Sequence, residues 1–157
     1  TNNVFYDGTN WTAASSLNAA KTLHAVMGNQ ASAMAASGLT GSPTSTTVNT
    51  EQWNGTAWTE VANVNQARYR VVGAGTGGDA IVFGGTNYPS TTLYDLTESC
   101  NGSAWTEIGD MATGREGGAS GGNSRSSLLA GGSLGTPVTA VTEEWTVPFV
   151  TKTIGTD

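Results

Sequence analysis

The sequence predicts an all-β fold assembled from one sheet unit of 47 residues, and three observations carry that prediction. Aromatic–turn–tryptophan segments recur: Tyr6-Asp7-Gly8-Thr9-Asn10-Trp11-Thr12, Trp53-Asn54-Gly55-Thr56-Ala57-Trp58-Thr59 and Cys100-Asn101-Gly102-Ser103-Ala104-Trp105-Thr106. Trp11, Trp58 and Trp105 stand 47 residues apart, and so do Lys21, Arg68 and Arg115, Gly38, Gly85 and Gly132, and Gly28, Gly75 and Gly122. Between these landmarks lie short runs of β-branched and aromatic residues bounded by Gly and Asn, which is strand-and-turn chemistry. A fixed period kept by several kinds of residue marks a repeat architecture.

Taken in order, residues 1–13 read as the outer two strands of a unit. Complete units follow over 21–61, 68–108 and 115–154. In the middle unit, Arg68 to Gly75 is a short extended run and Thr76-Gly77-Gly78 offers positive φ for a turn. Ile81-Val82-Phe83 is a buried-strand run stopped by Gly84-Gly85. Thr91 to Ser99 alternates, with Leu93 and Leu96 as inward candidates, and Asn101-Gly102 signals a two-residue hairpin before Ala104 to Ile108. By propensity Ser16 to Ala36, rich in Ala, Leu and Met, could be helical. The register places it as strands instead, because Leu23 to Met27 aligns with Arg70 to Ala74 and Met34 with Ile81. The last unit has Glu144-Trp145-Thr146-Val147-Pro148, without the Asn-Gly turn or second Trp, so Phe149 to Ile154 is expected as a terminal strand.

Four short antiparallel strands per 47 residues is the footprint of a propeller blade. A β-sandwich also has short strands but needs no sequence period. The sequence then holds about three and a half blades, with four outer segments and three inner hairpins. Closed propellers usually have about 4–8 blades, and open sheet edges template pairing with another chain. Three arrangements satisfy this count. The N-terminal hairpin completes a neighbour's blade, several chains close one ring, or the residues belong to a longer array. Self-association, as a homo-oligomer or filament, is one expectation and the longer array is the other.

Composition narrows function. The chain has 157 residues, with 25 Thr, 14 Ser and 22 Gly, and only 11% charged residues. That is under half the usual charged fraction of about 25%. Two Lys and four Arg against a net charge of −6 form no basic patch, so neither nucleic acid nor an anionic membrane is an expected partner. No apolar run reaches the roughly 18 residues of a membrane helix. One cysteine, Cys100, excludes an intramolecular disulfide, and one histidine, His24, excludes a histidine-rich metal site within one chain.

These residues resemble the kelch repeat. Its features are a Gly-Gly after the second strand, an aromatic in the third, a Trp in the fourth and a basic residue opening the next blade. They match Gly84-Gly85 and Gly131-Gly132, Trp53, Trp58 and Trp105, and Arg68 and Arg115. The segment Glu51 to Glu60 is similar to kelch-like arrays in tail fibres and other structural proteins of aquatic bacteriophages and bacteria. Departures are Cys100 in place of the aromatic, Lys21 in place of Arg and Ser37-Gly38 in place of Gly-Gly. The copper chemistry of galactose-oxidase-type kelch propellers needs ligands that one His does not supply.

No motif places a catalytic group. His24 has no Ser or Cys partner in a recognisable pattern, and Cys100, standing where Trp53 and Tyr6 stand, reads as a small core substitute. Glu51, Glu98 and Glu143 recur at one repeat position, which suits structural pairing with Lys21, Arg68 and Arg115 better than acid–base work. The glycine clusters at 73–78 and 117–122 mimic nucleotide loops, but no Gly-Lys-Ser/Thr follows. Asn10, Asn54 and Asn101 fit the N-glycosylation acceptor pattern. The expectation is a non-enzymatic structural or adhesive module of an extracellular or virion fibre, with no cofactor and no metal. Its contacts with a host-surface glycan would fall to loops such as 40–49 and 86–92, where Tyr88 is the exposed-aromatic candidate. The alternatives are a carbohydrate-binding, lectin-like propeller and a fragment of a larger propeller enzyme.

Overall fold

A computed structural model describes residues 3–41 and 44–147. Among them the fold is all-β, with no helix. A hairpin of β1 (Asn3–Tyr6) and β2 (Trp11–Ala14) stands first. The next four-stranded sheet runs β4 (Ala25–Gly28), β5 (Ala33–Ala36), β8 (Thr50–Trp53), β9 (Trp58–Glu60). A small sheet joins β3 (Lys21–Thr22), which precedes β4, to β6 (Leu39–Gly41) and β7 (Thr44–Thr46), which lie between β5 and β8 in sequence. A second four-stranded sheet runs β10 (Val72–Gly75), β11 (Ala80–Phe83), β12 (Thr97–Cys100), β13 (Trp105–Ile108). The last holds β14 (Ala119–Asn123), β15 (Ser126–Ala130) and β16 (Thr142–Thr146). Among the described residues every strand pairing is antiparallel, and no sheet closes into a barrel.

The registers repeat with the sequence. Ala25 faces Ala36, Val72 faces Phe83 and Ala119 faces Ala130, each pair displaced by 47. The alanine-rich early segment therefore holds strands β3, β4 and β5 rather than a helix. Gly28 ends β4 at φ +112°, and the Asn29 carboxamide oxygen accepts the backbone N–H groups of Ala31 and Ser32, so the chain reverses before a helical turn can propagate. All four residues of β5 are buried, which only small or slim side chains allow between closely packed sheets.

The core lies between the sheets. Met27, Met34, Val71, Val82, Cys100 and Trp105 fill the space between the first and second. Ala74, Ile81, Phe83, Met111 and Leu129 fill that between the second and third. Strand β10 packs beside both β4 and β14. Gly85 shows why the paired glycines recur. Its φ is +96°, and a Cβ there would lie 2.8 Å from the Tyr69 carbonyl oxygen. Its N–H donates to the Arg115 carbonyl in the neighbouring unit, as Gly38 donates to Arg68.

Three expectations are corrected. The Asn-Gly turns are not two-residue turns, because Trp53 pairs with Trp58 and Cys100 with Trp105, leaving four residues between strands. Only the glycines take positive φ, and the Asn54 and Asn101 side chains brace the loop by accepting two N–H groups each. In the preceding turn positive φ falls on Gly75, not on Gly77 or Gly78. The alternating stretch Thr91 to Ser99 is a strand only from Thr97, since Asn87 ties Ser90 and Thr92 into a loop; Leu93 and Leu96 are half-buried. The expected strand Phe149 to Ile154, and with it the end of the 115–154 unit, lies outside the described residues.

Candidate functional site

The repeated charged residues meet inside each sheet. Lys21 lies 3.6 Å from Glu51, Arg68 lies 3.1 Å from Glu98, and Arg115 pairs with Glu143. The three cations and the first two carboxylates are buried. Each carboxylate also accepts backbone N–H groups from the segment entering its unit: Asn18 and Ala19 on Glu51, Asn65 and Gln66 on Glu98, Ala112 on Glu143. The carboxylate therefore ties a cation, a third strand and an incoming loop together. Lys21 donates to the Ala35 and Asn49 carbonyls and the Asn49 side chain, and burial pushes its amine below the usual lysine range despite Glu51. Arg68 differs. Its guanidinium nitrogens make no hydrogen bond of good geometry, so Glu98 holds it as a charge contact. Sequence reasoning missed the partners Asn18 and Asn65. Both donate through Nδ2 to the carbonyl of the fourth-strand Trp, at Trp58 and Trp105, and their 47-residue spacing was the available signal.

The other candidates stay apart. Cys100 is buried, cross-strand from Trp105, and burial pushes its thiol up, away from a nucleophilic thiolate. His24 is half-buried with Nδ1 unpartnered, and burial followed by nearby Lys21 holds its pKa below the usual imidazole value. Among the described residues no three His, Cys, Asp or Glu side chains could hold a metal ion. Asn10, Asn54 and Asn101 are exposed at hairpin tips, although the last two already use their side-chain oxygens. Tyr88 is exposed on the 86–92 loop. Gly132 has φ +115°, matching Gly38 and Gly85. Of the repeated tryptophans, Trp53 and Trp105 are buried, Trp58 and Trp145 half-buried and Trp11 exposed.

The two ends of the sheet stack stand out instead. At the first end, Phe5 lies on Trp53 with ring centroids 5.5 Å apart, and Val26, Asn29, Gln30 and Ala33 complete a groove of about 320 Å³. At the last end, Ala119, Gly121, Leu128 and Ala130 line an open concave face. The repeat count predicts an array that does not close, but which residues stay uncovered at each end is invisible in a single repeat.

No family model matches the sequence, and no curated protein matches it. Among solved structures, the chain is similar to one described as the structure of YjhT, with a TM-score of 0.74 and 17% identity over 87% of this chain and 45% of that one. The chain thus spans less than half the length of that neighbour, and the likeness is one of fold.

Proposed function

We propose that this chain is a non-enzymatic structural or adhesive module: a kelch-like β-propeller segment of an extracellular or virion fibre that associates with copies of itself through its sheet edges. The observation that carries the reading is that the charged groups recurring in every unit are spent inside the sheets. Lys21–Glu51, Arg68–Glu98 and Arg115–Glu143 hold strands and loops in place rather than facing a substrate. The identical registers of the three large sheets fit blades, and β1 presents an edge with no further strand paired to it among the described residues. Light scattering over a range of concentrations, with negative-stain imaging, tests this. The expected result is particles at multiples of the 16.0 kDa chain, seen as rings or filaments. A folded monomer at every concentration overturns it.

A second reading, glycan binding, is favoured by one observation. Tyr88 presents an exposed ring on a loop whose backbone Asn87 fixes. Aromatic faces stack on sugar rings with little entropy cost when the loop is already rigid. Tyr88→Ala is expected to reduce glycan-array signal at least about tenfold, the loss of one good stacking contact. An unchanged signal, or none in the parent chain, sinks this reading.

A further inference from the structure

We infer that the two ends of the sheet stack bind each other head to tail between copies of this chain. The open face of β4–β5, marked by Val26, receives the open face of β14–β15, marked by Gly121 and Leu128, of a second copy. This rests on the self-association reading and names the surfaces.

The first argument is equivalence of position. Ala25, Met27, Met34 and Ala36 face the second sheet and are all buried. One repeat later Val72, Ala74, Ile81 and Phe83 face the third sheet, packed with Leu129 and Met111. One repeat later again stand Ala119, Gly121, Leu128 and Ala130, which face outward. Met34 and Ile81 are at most 1% exposed, whereas Leu128 is 42% exposed. At the other end, Val26 is 58% exposed. Both ends are thus halves of a joint that the molecule makes twice internally.

The second argument is side-chain size. In the first internal joint Met27 reaches over Gly73, where a Cβ would sit 2.5 Å from the methionine sulfur. In the second joint the equivalent positions are Ala74 and Ser120, and the Ser120 hydroxyl donates to the Gly73 carbonyl. Between the two ends they are Gly121 and Val26. The series runs large on none, small on small, none on large. Interiors packed to crystal density require such compensation, and it matches these two ends to each other rather than to any apolar partner.

The third argument is the backbone. The same pair of backbone hydrogen bonds recurs in each internal joint: Gly38 N–H to Arg68 and Arg70 N–H to Leu23, then Gly85 N–H to Arg115 and Gly117 N–H to Arg70. The same step across the ends pairs Gly132 N–H with the Lys21 carbonyl and Leu23 N–H with the Gly117 carbonyl. Leu23, Arg70 and Gly117 already share the left-handed conformation this needs, at φ +54°, +53° and +67°.

The hairpin β1–β2 covers the outer half of the receiving face, so it must yield to the copy's β16. Val4 stands where Glu51, Glu98 and Glu143 stand, so the hairpin lacks the carboxylate tie that Glu143 gives β16 through Arg115. Unlike ends joining make a ring where the rotation closes and a filament where it does not.

Mixing tests the idea. Val26→Asp and Leu128→Asp each place a carboxylate at an exposed position of one end, and unfolding curves verify that both variants fold; Val26→Thr and Leu128→Ser are the milder pair. The parent chain is expected to gain mass with concentration. Each variant alone should associate at least about tenfold more weakly, since burying an unpaired charge is costly. An equimolar mixture should recover particles of about twice 16.0 kDa and none larger, because one joint then has two intact faces. Phe5→Ala, which loosens the hairpin, should strengthen parental association. A mixture that stays monomeric overturns the inference. So do variants that associate like the parent, an outcome that leaves edge-to-edge association standing. A monomeric parent removes both.

Discussion

Glu98→Ala is expected to be the most damaging single substitution, lowering stability by about 3–5 kcal/mol. Breaking a buried ion pair by removing one partner strands the other charge in low dielectric, at roughly that cost. Arg68 is fully buried, and burial already depresses its guanidinium pKa, so it has no route back to water without opening the sheet. The same substitution removes the acceptor for the Asn65 backbone N–H at 2.6 Å, the Asn65 side chain at 2.9 Å and the Gln66 N–H. Arg68→Ala should cost less, because Glu98 keeps those three donors. The pair is therefore not symmetric. Replacing both partners by apolar residues, often neutral elsewhere, should remain destabilising here because the loop N–H groups stay unsatisfied. Urea unfolding checks the order: Glu98→Ala midpoint lowest, Arg68→Ala higher, with unchanged m-values. A chain of this size loses about 2–4 °C of midpoint per kcal/mol, so heat should give the same ranking. Equal losses for the two variants would sink the claim that the carboxylate, not the cation, is the hub.

Much of this site was legible in the residues. The period of 47 located Lys21, Arg68 and Arg115 and, with a last interval shortened to 45, the carboxylates Glu51, Glu98 and Glu143 that pair with them. The reason is that one unit must bury the same cation in the same place each time. The period also overruled helix propensity at Ser16 to Ala36, where alanine is selected for slimness between sheets. What the period could not give was hairpin geometry. Asn-Gly has two uses, positive φ at both residues or a side-chain brace with positive φ at glycine alone, and only the strand register tells them apart. Nor could it show which copy of a repeated position is covered. Leu128 and Ile81 are chemically alike and occupy one repeat position, yet one is exposed and the other buried.

Coverage also sets the second large effect. Trp105→Ala should cost about 3–5 kcal/mol, while Trp11→Ala at the equivalent position should cost under about 1 kcal/mol. Trp105 is 6% exposed and packs between two sheets, with its indole N–H donating to the Ala62 carbonyl at 3.0 Å. Trp11 is 68% exposed and touches chiefly Tyr6. Trp58 lies between them and separates packing from hydrogen bonding. Its indole N–H is buried without a partner, so Trp58→Phe removes an unsatisfied donor and should be near neutral, whereas Trp105→Phe should lose about 1 kcal/mol with its hydrogen bond. Chemical unfolding of the four variants decides the matter. If Trp11→Ala proved as costly as Trp105→Ala, the hairpin would be held far more firmly than its contacts allow, and it could not yield to a second copy.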